Sequence, residues 1–269
     1  MLAEWFRHLS TPCDPKLKRM GYLKELISID ARHKRCRGAW APHLTIAKYI
    51  ILETAEGIPR RRVTVLGSGL LLDISLEALS GLFEDMVLVD ILHLPATQKR
   101  VAEMVNVRLI TADLSGVADA TWVHVQEHRT VPLPAPNAET EFCQDSDLVV
   151  SANLLTQLPL APMGWAQEGG GYGEDDIKTF ARAIIDHHLE FLGGLPGRVC
   201  LLCETERQIM DGGERLQVID PLFGATLPAS GMKWIWTIAP RPEITPNIDL
   251  CFRMTGISDL KNAYQWTEP

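Results

Sequence analysis

Hydrophobic residues recur at helical spacing through the first part of the chain. Between residues 17 and 27, and again between residues 42 and 57, apolar side chains are separated mostly by three or four positions. Pro42 suits the first turn of a helix, and Gly57 suits the position just past a helix end. The pattern predicts a helical N-terminal extension over residues 1–60.

From residue 62 onward, the apolar residues form short consecutive runs instead. Each run is rich in β-branched residues and is apolar at successive positions, which is typical of strands buried on both faces of a parallel sheet. The five runs are VTVLG (63–67), MVLVDI (86–91), VRLIT (107–111), DLVVSAN (147–153) and RVCLLCE (198–204). Helix-like segments lie between them, so the pattern predicts repeated strand–helix–strand units.

The end of the chain changes this rhythm. Two strand-like runs, KWIWTIAP (233–240) and NIDLCFRMTGI (247–257), follow each other with no helix between them. We therefore expect them to pair as an antiparallel hairpin at the edge of the sheet. Residues 61–269 are predicted to form one α/β domain with a seven-stranded, mostly parallel sheet and helices on both faces.

Composition agrees with a folded domain. The 269 residues are 46% apolar and 22% charged, which suits a sizeable core. The first residues contain no apolar stretch typical of a signal peptide, and no run is long enough for a transmembrane segment. The six cysteines suit reduced thiols better than a disulfide framework. We expect a cytoplasmic protein.

The net charge of −8 is unevenly distributed. Residues 1–62 carry 13 basic and 6 acidic side chains, whereas residues 63–269 carry 13 basic and 28 acidic ones. A basic extension can bind nucleic acid, anionic lipid or an anionic substrate. It can also dock on its own acidic domain, and we favour this interpretation because the acidic total repels nucleic acid.

Three successive strands end in residues that suit a nucleoside. The first strand delivers Gly67 and Gly69 to the carboxyl edge of the sheet, where ligands bind in this architecture and missing side chains allow close approach. The second strand ends in Asp90, whose carboxylate can accept hydrogen bonds from a ribose diol. The third strand ends at Asp113, beside the position expected for an adenine ring.

Leu72 argues against a pyrophosphate ligand. A dinucleotide-binding turn needs a small residue at this position so that the next helix can point its N-terminus at the phosphates. S-adenosylmethionine has no phosphate and is less affected by a larger residue there. An NAD-dependent oxidoreductase is therefore the less favoured interpretation.

The order of elements, from VTVLGSG through MVLVDI, LITADL and DLVVSANLLTQLP to the final hairpin, resembles the class I S-adenosylmethionine-dependent methyltransferases. The resemblance covers residues 62–260 and implies a Rossmann-like fold with S-adenosyl-L-methionine as cofactor. It implies that the glycine turn faces the methionine part, that Asp90 holds the ribose and that Asp113 meets the adenine. The implied cofactor-binding residues are Gly67, Ser68, Gly69, Asp73, Asp90, Ile91, Asp113, Leu114, Ser151 and Asn153.

The glycine turn departs from the family pattern at two positions. The family often has an acid two residues before the first glycine, where this chain has Val65, and the third small residue of the turn is replaced by Leu71. Asp73, predicted just inside the following helix, can replace the missing acid by reaching the ligand's ammonium or the backbone of the turn. It can equally be an acid that stabilises the helix dipole.

The segment after the fourth strand indicates the kind of acceptor. It lacks the Asn/Asp-Pro-Pro-aromatic signature that the resemblance ties to methylation of nucleobase or glutamine nitrogens. This favours a small-molecule acceptor and no nucleic-acid partner. The candidate catalytic residues are His43 and Glu204, and the candidate substrate-binding residues are Arg37, Trp40 and Tyr172. A structural role is the alternative for His43, and a core position is the alternative for Trp40.

No metal site is predicted. The segment TWVHVQEHRT (121–130) alternates in polarity like a strand, which would hold His124 and His128 too far apart to share a metal ion.

The leading hypothesis is a methyltransferase that uses S-adenosylmethionine for in-line methyl transfer to a small molecule. The N-terminal extension would act as a lid, and residues 167–173 would form a flexible loop over the acceptor. The alternative is a non-catalytic nucleoside-binding or scaffolding protein of the same fold, favoured by the missing acid and the lack of a clear base.

Overall fold

The computed structural model describes residues 2–130 and 132–265. Met1, Val131 and residues 266–269, which belong to the two predicted domains, lie outside the described residues. Four helices precede the sheet, as the helical pattern predicts: α1 (Leu2–Ser10), α2 (Pro15–Arg19), α3 (Tyr22–Arg35) and α4 (Arg37–Thr54). The strands are β1 (Arg62–Leu66), β2 (Asp85–Asp90), β3 (Val107–Thr111), β4 (Leu148–Ala152), β5 (Arg198–Asp211), β6 (Glu214–Ile219), β7 (Met232–Ala239) and β8 (Ile248–Ile257). The other α-helices are α5 (Leu76–Leu82), α6 (Pro95–Val101), α7 (Ala118–Gln126), α8 (Leu160–Gly169), α9 (Glu174–Gly194) and α10 (Leu260–Gln265).

The strands form one mixed sheet in the order β3-β2-β1-β4-β5-β8-β7. The first five strands are parallel, and β8 and β7 add to them as an antiparallel hairpin at the edge. The predicted fold class is therefore confirmed. The described residues contain one more strand than predicted, because β6 pairs with the far end of β5 across a Gly212–Gly213 turn.

Both faces of the sheet are covered because successive strand residues point to opposite sides. Val149 and Cys203 pack in the core on the face of α9, whereas Val150 and Cys200 pack on the face of α4 and α5. Cys200 and Cys203, which form a C-x-x-C sequence, thus lie in separate cores. Burial raises the pKa of Cys200 to about 12.

Three local predictions are wrong. Residues 118–126 form helix α7 rather than a strand, because the buried residues Ala118, Thr121 and Val125 follow a helical spacing. Pro42 lies inside α4, which begins at Arg37, and not in its first turn. Asp73 precedes α5, whose first residue is Leu76, so it is not a helix-start acid.

The basic N-terminal part of the chain forms ion pairs with the acidic part. Lys16 pairs with Asp119, and Arg61 Nη2 lies 2.6 Å from Asp147 Oδ1. Arg35 Nη2 lies 2.6 Å from an oxygen of Glu243 in the β7–β8 connection. None of the helices in the described ranges has the length and hydropathy needed to cross a membrane.

Candidate active site

A cavity of about 520 Å³ lies along the carboxyl edge of the parallel strands. Its volume is within the range usual for sites that bind small molecules and cofactors. One part, the glycine-turn half, is lined by Gly67, Ser68, Gly69, Asp90, Ile91, Asp113 and Leu114. The other part, the aromatic half, is lined by Trp40, Glu204, Arg207, Trp236, Ile238, Leu250, Phe252 and Met254. Residues from α3 line the cavity as well, which brings the N-terminal extension over it.

The glycine turn is shaped by close contacts that exclude a side chain. Gly67 has a φ of +72°, and a Cβ atom there would lie 2.8 Å from the Cβ of Leu154. The amides of Gly67 and Ser68 both donate to the carbonyl of Val89, at 3.0 and 3.2 Å. The turn is therefore fixed against β2, and its backbone forms part of the cavity wall.

Asp90 holds the same turn from the end of β2. One carboxylate oxygen accepts a hydrogen bond of 2.7 Å from the amide of Gly69, and the other accepts one of 2.8 Å from the amide of Ile91. Burial raises the pKa of Asp90 above its ordinary value. A carboxylate offers about four acceptor positions, so Asp90 keeps capacity to accept a hydrogen bond from a ligand.

Asp113 caps α7 as well as lining the cavity. Its carboxylate accepts hydrogen bonds from the amides of Ser115 at 2.9 Å and Ala118 at 2.8 Å. Tyr22, at the start of α3, also lines this end of the cavity, and burial raises the pKa of its hydroxyl. The sequence did not identify Tyr22, because it belongs to a helical segment far from the strand-end motifs.

Asp73 lines the cavity and is held by a buried histidine. His43 Nε2 lies 3.0 Å from Asp73 Oδ1, and the side chain of Asp73 is 25% exposed. Trp234 Nε1 donates to His43 Nδ1 at 3.1 Å. An indole nitrogen can only donate, so His43 carries its proton on Nε2 and donates it to Asp73.

A general base at His43 would have to face the cavity, and the position of this side chain is different. His43 has no solvent exposure, is not among the residues lining the cavity, and stacks on Trp236 with ring centroids 3.8 Å apart. Both of its nitrogens have partners: Trp234 contacts Nδ1, and Asp73 and Asn153 contact Nε2. The contacts of His43 therefore suit a residue that orients Asp73.

The other predicted site residues fall into two groups. Five line the cavity: Ser68, Ile91, Leu114, Asn153 and Glu204, and Trp40 joins them although it also packs in a core. Ser151 is buried with its hydroxyl 3.1 Å from His188 Nε2 and does not line the cavity. Arg37 is exposed on α4, and Tyr172 donates to the carbonyl of Arg129, so neither lies in the cavity wall.

Glu204 and Arg207 are brought together by an irregularity in β5. Along an ordinary strand, residues three apart face opposite sides, but the register between β5 and β8 shifts between Glu204 and Glu206. Such a bulge redirects the following side chains. Arg207 Nη2 consequently lies 2.6 Å from Glu204 Oε1, and its guanidinium packs over the ring of Phe252 at 5.0 Å.

Unpartnered polar atoms are concentrated around this cavity. In the described part of the chain, eleven buried side-chain nitrogen or oxygen atoms have no hydrogen-bond partner. Seven belong to residues that line the cavity: Tyr22, Arg32, Ser68, Asn153, Glu204, Arg207 and Trp236. Buried polar atoms are normally satisfied, so this concentration indicates a ligand site.

Comparison with known proteins gives remote structural similarities. No protein-family profile and no curated protein matches the chain. It is similar to DhpI in a complex named "DhpI-SAM-HEP", with 16% identity, 95% of this chain and 90% of that chain covered, and a TM-score of 0.34. It is also similar to 1,6-didemethyltoxoflavin-N1-methyltransferase of Burkholderia thailandensis, with 14% identity, 92% of each chain covered and a TM-score of 0.41.

A third similar structure is the 23S rRNA methyltransferase ErmE, with 12% identity, 81% of this chain and 69% of that chain covered, and a TM-score of 0.29. At these identities and TM-scores, the likeness assigns neither an acceptor nor a reaction. The chain's own strand order, with five parallel strands followed by an antiparallel pair at one edge, is the arrangement predicted from the resemblance. The chain therefore has the predicted Rossmann-like fold.

Proposed function

We propose that the protein binds S-adenosylmethionine in the glycine-turn half of the cavity and methylates a small-molecule acceptor in the aromatic half. One observation carries this proposal. A single cavity runs from Asp113 and Asp90 past the glycine turn to Glu204 and Trp236. A nucleoside and a second reactant therefore have adjoining places along one edge of the sheet.

The residues of the glycine-turn half fit this cofactor. Asp90 accepts hydrogen bonds from the ribose hydroxyls, while Asp113, Leu114 and Tyr22 surround the adenine. The unpartnered hydroxyls of Ser68 and Tyr22 find hydrogen-bond partners when the site is filled. Asp73 binds the ammonium group, in place of the acid that the family often carries before its first glycine.

A dinucleotide fits the same turn less well. Helix α5 does not begin until Leu76, so no helix N-terminus lies directly after Gly69 to bind a pyrophosphate. Leu71 has a φ of 58° and is buried, which leaves the turn no third glycine for close helix packing. These features favour the sulfonium nucleoside over NAD.

The protein's part in the reaction is alignment and proton removal. S-adenosylmethionine supplies an activated methyl group when it is bound. The aromatic half orients the acceptor for in-line attack, and Glu204 takes up a proton at Oε2 when the acceptor has one to lose. Residues of α3 cover the cavity and exclude water, which is the role of a lid.

Calorimetry with S-adenosylmethionine, S-adenosylhomocysteine and NAD tests the cofactor assignment. We expect both sulfur nucleosides to bind at one site per chain and NAD to bind at least tenfold more weakly. Binding of NAD without measurable binding of either sulfur nucleoside would contradict the proposal. Binding without methyl transfer to any member of a broad acceptor panel would favour the non-catalytic alternative.

A further inference from the structure

The aromatic half lies beyond the place assigned to the nucleoside. Asp90 is the last residue of β2 and Glu204 lies on β5, and these strands are three spacings apart in the order β2-β1-β4-β5. At about 4.8 Å for each spacing, these side chains are separated by roughly 14 Å along the sheet edge. The aromatic half is thus a separate part of the same cavity, and its lining residues indicate which kind of acceptor it binds.

The wall of this compartment is built from aromatic rings in fixed orientations. Trp40 and Trp236 pack edge to face with centroids 4.7 Å apart, and Trp236 and Phe252 do the same at 5.7 Å. His43 stacks on Trp236 and holds that ring in place. Ile238 and Leu250 complete an apolar lining, which suits a flat ring better than a flexible polar chain.

Glu204 and Arg207 supply a hydrogen-bonding pair in this apolar wall. Met254 and Phe252, their partners on β8, are two residues apart and share a face, and the bulge places Glu204 and Arg207 on that face too. Their ion pair uses Glu204 Oε1 and Arg207 Nη2. Glu204 Oε2 and Arg207 Nε have no partner among the described residues.

The Glu204–Arg207 pair of the aromatic half carries no net charge, because the two side chains neutralise each other at 2.6 Å. Arg32 also lines the cavity, and its Nε lies 3.9 Å from Glu243, which pairs with Arg35 as well. The two unsatisfied atoms of the inner pair are one hydrogen-bond acceptor and one donor. A ligand that satisfies both presents a donor beside an acceptor and carries no net charge.

We propose that the methyl acceptor is a neutral, flat heteroaromatic molecule with a cyclic amide edge. Its N–H donates to Glu204 Oε2, its carbonyl oxygen accepts from Arg207 Nε, and its ring lies against Trp236 and Phe252. This inference rests on the proposed function, because the cofactor must fill the glycine-turn half for the acceptor to occupy the aromatic half.

The test is calorimetric titration of the protein saturated with S-adenosylhomocysteine, using three named probes. They are 2-quinolone, which has the cyclic amide edge, N-methyl-2-quinolone, which lacks the N–H, and quinoline-2-carboxylate, which is an anion. We expect 2-quinolone to bind about tenfold more tightly than N-methyl-2-quinolone, the usual effect of one hydrogen bond to a charged group. The anion should bind more weakly than 2-quinolone.

Two variants test whether Glu204 and Arg207 form the hydrogen bonds to the cyclic amide. Glu204→Gln should abolish the difference in affinity between the two quinolones. The glutamine oxygen can keep the hydrogen bond from Arg207, which places its NH2 group where Oε2 was, and this donor cannot accept from the N–H of 2-quinolone. Arg207→Lys keeps a positive charge beside Glu204 but removes Nε, so it should weaken 2-quinolone several-fold and preserve its preference over N-methyl-2-quinolone. The affinity of each variant for S-adenosylhomocysteine reports whether the protein remains folded.

The outcomes separate this inference from the proposed function. Failure to bind S-adenosylhomocysteine would overturn both. Normal binding of S-adenosylhomocysteine, together with equal affinity for the two quinolones or tightest binding of the carboxylate, would overturn the acceptor assignment alone. A preference for 2-quinolone that survives in folded Glu204→Gln protein would also overturn it.

Discussion

Replacing Asp90 by alanine should weaken binding of S-adenosylmethionine by about 1.5–3 kcal/mol, the usual range for a lost hydrogen-bond partner that is charged. Two effects contribute to this loss. The ribose hydroxyls lose their acceptor, and the amide of Gly69 loses the hydrogen bond of 2.7 Å that holds the glycine turn. Calorimetric titration of the folded variant measures the change directly.

Asp85→Ala is the matched control, because Asp85 lies at the opposite end of the same strand. Its carboxylate pairs with Arg62 and Arg108 and does not line the cavity. We expect its affinity for S-adenosylmethionine to match that of the unaltered protein. Asp90→Asn keeps one oxygen to support the turn, so its affinity for S-adenosylmethionine should lie between those of Asp90→Ala and Asp85→Ala. Unchanged affinity in folded Asp90→Ala protein would show that the ribose assignment is wrong.

Replacing Asp73 by asparagine should weaken S-adenosylhomocysteine by roughly 1–2 kcal/mol, because the ligand's ammonium loses its ionic partner at a site that is only partly buried. The same change should leave 5′-methylthioadenosine unaffected, since that nucleoside has no amino-acid part. Asp90→Ala should weaken both ligands. Titration of the two variants with the two ligands separates the ammonium contact from the ribose contact.

His43 supplies a second check on this arrangement. His43→Gln retains a side-chain donor near Asp73, whereas His43→Leu leaves the carboxylate without one, so the leucine variant should lose more affinity for S-adenosylhomocysteine. Neither change should alter binding of 5′-methylthioadenosine in folded protein. Equal weakening of both ligands by Asp73→Asn would mean that Asp73 supports the whole turn and does not bind the ammonium.

Local sequence was sufficient for most of the sheet. Strands such as β2 and β4 are buried on both faces, so their consecutive apolar residues identify them without knowledge of their neighbours. The position of Asp90 follows from the same pattern, because a parallel strand delivers the residue at its carboxyl end to the ligand edge. These features depend on short segments and were predicted correctly.

Features that depend on distant contacts were not predicted. Strand β6 is exposed along its whole length, so it lacks the apolar run that identified the others, although the Gly212–Gly213 pair was a usable hairpin signal. In α7, the alternation of Val123 and Val125 with polar residues resembles that of a strand. Val123 is exposed, however, and the buried residues Ala118, Thr121 and Val125 follow a helical spacing. Tertiary packing decided the outcome in both segments.

The candidate site shows the same division. Trp234 lies on β7, His43 on α4 and Asp73 in the segment between the glycine turn and α5, so no sequence spacing connects them. The pairing of Glu204 with Arg207 depends on a bulge set by the register with β8, which the residues of β5 alone do not reveal. The sequence predicted which residues lie at the strand ends, whereas the side chains that contact and orient them are visible only in the structure.

A crystal structure with S-adenosylhomocysteine bound would show directly whether the cavity holds the cofactor as proposed. We expect the ribose hydroxyls to lie within hydrogen-bonding distance of Asp90, the adenine to lie beside Asp113 and Leu114, and the ammonium group to contact Asp73. The sulfur should then face the compartment that contains Glu204 and Trp236. A ligand bound outside this cavity, or one whose sulfur faces away from the aromatic half, would show that the proposed function is wrong.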